Sequence, residues 1–270
     1  MNARRVILWP VLTAGVAALC AAGCGQGQSA GTKTVRAVVT IAAAADLKFA
    51  LDEILVEFCK QHPDVDVKVA YGSSGSFFAQ LSIATPFDLY LSADIEYPRQ
   101  LAAKGLAAGP VFEYARGRLA VWAPAGSKAD LDAPGMAGLA GDSVRTVAIA
   151  NPRHAPYGRA AVAAMKQYGV YEKLQHKLVL GENVAQAAQF AQAGAVDAGV
   201  IALSLAMAPA MKQAGRFRPV PPEACPPIVQ GGIIMKAAAH PAAARMLRDF
   251  VLGPDGRGLL QRNGLGLPGE

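Results

Sequence analysis

Two apolar rhythms alternate along the chain. Short runs such as "VRAVVTIA", "VDVKVAYG" and "FDLYLSA" read as strands. Between the first two, "DLKFALDEILVEFCKQ" places Leu47, Ala50, Leu51, Ile54, Leu55 and Phe58 on a single helical face. "SFFAQLSIA" and "YPRQLAAKG" also read as helices, the second closed by Gly105. Downstream, "GRLAVWAP", "RTVAIAN", "KLVLGEN", "DAGVIAL" and "QGGIIMK" are strand-like. "GRAAVAAMKQYGV", "VAQAAQFAQAG" and "AAARMLRDFVLG" are helix-like. This β–α alternation predicts an α/β protein, its sheets mostly parallel and flanked by helices.

Two Pro-containing stretches interrupt the rhythm, "WAPAGSKADLDAPG" and "RPVPPEACPPIVQ". Proline is poorly tolerated inside sheets and accepted at edges and crossings. The chain is therefore expected to leave one lobe at the first stretch and return at the second. That gives a discontinuous lobe, residues 34–117 with 227–270, and a continuous lobe, residues 118–226.

The N-terminus reads as a targeting segment rather than as part of the fold. Arg4 and Arg5 precede an apolar run from Val6 to Ala22 that contains Pro10. The run is short of the about 20 residues needed to span a bilayer, so residues 1–30 read as an export signal. "AAGC" resembles a lipobox that would leave Cys24 as a lipidated N-terminus, with "GQGQSAGTKT" as its tether; cleavage after Ala30 is the alternative. Without residues 1–30 the chain loses two arginines and no acid, so a net charge of +6 becomes +4. That balance, with no basic run and no interleaved aromatics, excludes a nucleic-acid surface and suits an anionic ligand. Cys59 and Cys225 remain in the mature chain, with no spacing signature for a disulfide; buried free thiols are the simpler reading.

The chemistry gathers at strand-to-helix corners. Ala42 to Ala45 lead into Asp46; Ser73 and Ser74 follow "AYG"; Pro156, Tyr157 and Gly158 open a third helix; Asn183 and Val184 open a fourth. A helix start offers unpaired N–H groups and a positive dipole end, and small residues let an oxyanion approach them. Ordinary capping explains any one corner without a ligand. From the residues alone both readings stay open. His154 reads as a turn residue, and Trp122 and Tyr114 as packing. "GSSGS" is not a nucleophile elbow, and no carboxylate motif orients His154, which argues against a hydrolase.

In order along the chain, "AAAADLKFALDEI", "YGSSGSFFAQL", "PFDLYLSADIEYP", "GRLAVWAP", "NPRHAPYG" and "VIALSLA" resemble the periplasmic molybdate-binding proteins of ABC transporters, over about residues 35–268. "FDLYLSAD" and "NPRHAPYG" carry most of the likeness. The resemblance implies a two-lobed type II periplasmic binding fold with the ligand cleft between the lobes. It implies molybdate or tungstate as ligand, held by uncharged donors with no direct metal ligands, no cofactor and no catalysis. It implies a monomer working in the periplasm or on the outer face of the cytoplasmic membrane, delivering its ligand to an ABC permease. A sensor of the same fold is the other implied use.

Carried over position by position, the resemblance implies ligand contacts from Ser74 with Ser73 beside it, and from the N–H groups of Tyr157 and Val184. The first corner, where the family usually has a serine, here reads Ala45-Asp46. The position of a frequent tyrosine hydroxyl falls on Ala202, with Ser204 two residues along. Asp46 is expected to cap its own helix, its N–H facing the ligand. The competing reading makes it a proton acceptor and shifts preference towards phosphate or phosphonate.

Overall fold

The computed structural model describes residues 36–134 and 136–269. The segment 1–30, with Cys24 and both candidate cleavage points, lies outside the described residues.

Among the described residues, ten strands form two five-stranded sheets. The first contains β1 (Ala37–Ala44), β2 (Val65–Gly72), β3 (Leu89–Ser92), β4 (Phe112–Gly117) and β10 (Ile228–Ile234). The second contains β5 (Leu119–Pro124), β6 (Val147–Ala150), β7 (Leu178–Gly181), β8 (Ala198–Ala202) and β9 (Gly215–Pro219). Their orders are β2-β1-β3-β10-β4 and β7-β6-β8-β5-β9. Both sheets are mixed. β1 pairs in parallel with β2 and β3, and β6 with β7 and β8; β10 and β5 run antiparallel to their neighbours. The antiparallel members are the strands entered on crossing between sheets. Arg118 alone separates β4 from β5, and Val220 to Pro227 separate β9 from β10.

The strand pattern explains the layers. In β1, Val39, Ile41 and Ala43 face one apolar cluster and Ala42 another, the period of two expected of a strand covered on both sides. Leu51, Ile54 and Phe58 of the helix Lys48–Gln61 cover the first face. Phe77, Leu81 and Leu101 cover the second, beside Tyr90 and Ile233. Each such large apolar side chain contributes about 1.5–3 kcal/mol by leaving water. The second sheet is wrapped the same way around Trp122, Ile149 and Ile201, all fully buried.

Several details differ from the sequence reading. The second helix begins at Ser74 rather than Ser76, so Ser73 is its N-cap residue and Ser74 lies in its first turn. β4 and β9 were not anticipated. β4 mixes Glu113 and Arg116 into its run, and β9 is an edge strand with Arg216 and Arg218 outward. The helices Pro209–Ala214 and Pro254–Arg262 also lacked a clear apolar stripe in the sequence. Cys59 and Cys225 are free thiols, each half-buried rather than fully buried. Trp122 and Tyr114 pack as expected; their polar ends donate to the carbonyls of Met211 and Ser92. No helix among the described residues is long and apolar enough to cross a membrane.

Candidate anion-binding site

The four corners meet where the two lobes face each other. Ala45, Asp46, Ser73, Ser74, Tyr157 and Val184 all line one small cavity, together with Ala93 and Asn183. None of the six residues is more than 4% exposed, so the cavity is largely shut off from solvent.

Hydrogen-bond accounting identifies the free donors. In the helix Val184–Gln192, the Asn183 side chain accepts from the N–H groups of Ala185 and Gln186, and the Asn183 carbonyl from Ala187. The Val184 N–H is left over. At the third corner Pro156 has no N–H, while Gly158 and Arg159 donate to Ala155; the Tyr157 N–H is left over. At the second, the Ser74 hydroxyl accepts from the buried Ala93 N–H at 2.9 Å, so its own hydrogen can be given elsewhere. Ser73 is committed differently. Its hydroxyl donates to the His154 carbonyl at 2.8 Å, across the interface between lobes.

The tight corners depend on glycine. A Cβ on Gly158 would lie 2.2 Å from the Ala150 carbonyl oxygen, so the helix start could not sit so close to β6. A Cβ on Gly75 would lie 2.5 Å from the His154 carbonyl oxygen, which the Gly75 N–H contacts at 2.9 Å.

Asp46 departs from its expected role. The short helix Ala45–Leu47 has Ala44 as N-cap and no side-chain cap. The carboxylate turns away from the helix instead. Its Oδ2 accepts from Gln230 Nε2 at 2.6 Å and from the Tyr157 hydroxyl at 2.9 Å. Asp46 and Gln230 come from the first lobe and Tyr157 from the second, so this cluster bridges the lobes. Burial raises the Asp46 carboxyl to about 6, opposed by those two hydrogen bonds and by its own N–H. Burial, with the Asp46 charge nearby, drives the Tyr157 and Tyr114 hydroxyls well above their ordinary range.

The sequence reading missed several partners. Gln230 is fully buried in β10, a polar residue at the head of "QGGIIM", and that mismatch was the available signal. His154 is more than a turn residue. Its carbonyl holds Ser73 and Gly75, its Nδ1 lies 3.0 Å from the Ser73 hydroxyl, and its Nε2 lies 3.5 Å from Glu182. Arg159 reaches across to Asp94 and Tyr97, and Ser76 to Glu182. At the position where a tyrosine was absent, Ala202 is buried; Ser204 instead donates to the Asp46 carbonyl at 2.8 Å. Among the described residues no group of three His, Cys, Asp or Glu side chains is placed to hold a metal ion.

Residues 39–266 match the bacterial extracellular solute-binding protein family. The chain belongs to that family. It is therefore a binding protein rather than an enzyme, and it works outside the cytoplasm. Its relatives include the molybdate-binding protein ModA of Rhodobacter capsulatus, 35% identical over 73% of this chain and 76% of that protein. The molybdate-binding protein ModA of Azotobacter vinelandii is 33% identical over 86% of this chain and 90% of that protein. A solved periplasmic molybdate-binding protein of A. vinelandii superposes with a TM-score of 0.79 at 32% identity, over 85% of this chain and 99% of that one. The two-lobed type II arrangement of these binding proteins is the fold described above.

Proposed function

We propose that the protein captures molybdate or tungstate and hands it to an ABC permease. The observation that carries this reading is the buried cavity between lobes, where N–H groups left over at helix starts gather beside the Ser74 hydroxyl. Such a set of neutral donors suits a fully ionised tetrahedral anion, which offers acceptors only. The names of the similar proteins favour molybdate. The shared chemistry of tungstate keeps it in the proposal. The contacts across the interface act as the closing device of a hinged receptor. We take the working unit to be a monomer without a cofactor.

Calorimetric titration tests the reading. Molybdate and tungstate are expected to bind one per chain, with phosphate at least about 100-fold weaker, because the proton that phosphate carries near neutral pH finds no acceptor among these donors. Tighter binding of sulfate or phosphate would overturn it. Ser74→Ala is expected to cost about 1.5–3 kcal/mol of affinity, the range for a hydrogen bond to a charged group.

We also propose that Cys24 carries a lipid in the mature protein, with "GQGQSAGTKT" as the tether. The mass of the mature N-terminus checks it: a free amino group at Gly31 shows ordinary cleavage instead.

A further inference from the structure

The cluster around Asp46 is short of one hydrogen. Two buried oxygens in it, Asp46 Oδ1 and Gln230 Oε1, have no hydrogen-bond partner from another residue. Both are acceptors when Asp46 is ionised. The Gln230 amide and the Tyr157 hydroxyl already spend their hydrogens on Asp46 Oδ2, the amide also reaching the hydroxyl at 3.2 Å. Among the described residues no cation pairs with the carboxylate. β10 contributes only Gln230, the helix Pro156–Gln167 faces it with Tyr157, β4 with Tyr114, and the segment after β8 with Ser204. The helix Val184–Gln192 carries no titratable side chain. Lys48, two residues along, is half-exposed and paired with Asp52. An oxyanion entering this cavity adds more acceptors and two negative charges.

Resting on the oxyanion reading above, we propose that Asp46 binds the anion as a neutral acid, taking one proton from solvent on closure and turning an acceptor into a donor. No bond of the anion breaks. The proton goes from water or buffer to the carboxylate, and the Oδ–H so made supplies the missing hydrogen of the cluster. Molybdate is fully ionised near neutral pH, so the proton taken up resides on the protein. Burial has already brought this carboxyl to about 6, and a dianion alongside raises it further. Asp46 is then a determinant of when the receptor binds as well as what it binds: capture strengthens as the surroundings acidify.

The test is calorimetry of the full mature chain with molybdate, in buffers of different ionisation heat, from pH 6 to 9. About one proton is expected to be taken up per anion at pH 8, and affinity to fall on the order of tenfold per pH unit between 7 and 9. Asp46→Asn is expected to abolish the uptake, flatten the profile and bind more tightly than wild type at pH 8. His154 also lies at the cleft, 3.0 Å from the Ser73 hydroxyl, so His154→Gln is the control and is expected to keep the linkage. Binding of molybdate with no proton uptake overturns the proposal and leaves the functional reading intact. Linkage lost in His154→Gln and kept in Asp46→Asn also overturns it. No molybdate binding at any pH removes both. If Asp46→Asn fails to fold, the wild-type uptake and the His154→Gln profile still decide.

Discussion

Gly75→Ala is expected to weaken oxyanion capture by about 2–4 kcal/mol while leaving each lobe folded. The added Cβ would sit 2.5 Å from the His154 carbonyl oxygen and 2.9 Å from the His154 Cα, both backbone atoms of the opposite lobe. Overpacking against rigid atoms costs about 1–3 kcal/mol, and the bond from the Gly75 N–H to that carbonyl, worth about 0.5–1.5 kcal/mol, is strained with it. The lobes can avoid the clash by staying apart. The cost therefore falls on closure and not on the cores. Titration with molybdate gives the affinity and urea unfolding of the unliganded protein gives the stability. Wild-type affinity in the variant would show that this contact is not made on closure.

Asp46→Asn is expected to stabilise the unliganded protein by about 3 kcal/mol at pH 8, as a change of one in pKa corresponds to about 1.4 kcal/mol. The sign follows from where the proton is held more tightly. The carboxyl rises from 3.8 to about 6 on folding, so the folded state binds the proton better. The resulting stability is fully present below 3.8 and is lost as pH climbs through 6. Asparagine has no charge to desolvate, and its amide can still accept from Tyr157 and Gln230. The gain should therefore shrink steadily as pH falls from 8 to 5. Urea unfolding of both proteins across that range measures it. Equal stability at every pH would mean the carboxylate is not desolvated in the folded chain.

The sequence made the frame legible where local pattern and burial agree. β2 runs from Val65 to Gly72, the stretch read from "VDVKVAYG", and Ala50, Leu51, Ile54 and Phe58 of the following helical pattern are buried as their spacing requires. β4 and β9 were opaque because their neighbours, β10 and β5, arrive from distant parts of the chain. A strand that owes its formation to a remote partner need carry no strong local signal. The site divides likewise. The four corners were visible because a helix start announces itself in small and capping residues, but local pattern left capping and binding open; it was the family resemblance that singled out Ser74, Tyr157 and Val184, and the structure places all six corner residues around one cavity. Asp46 was misassigned as a cap because its partners, Gln230 and Tyr157, lie 184 and 111 positions away. No local rule reaches that far.

The position of β10 has a consequence for how the chain is assembled. β3 and β4 do not pair with each other; both pair with β10, which lies between them. During synthesis the first sheet therefore remains two unjoined pieces until residues 228–234 have emerged. The second sheet, built from the continuous stretch between Leu119 and Pro219, is complete in sequence before then. Pairings of such long range are slow to form. The N-terminal half therefore cannot close into a finished lobe while the rest of the chain is still being made.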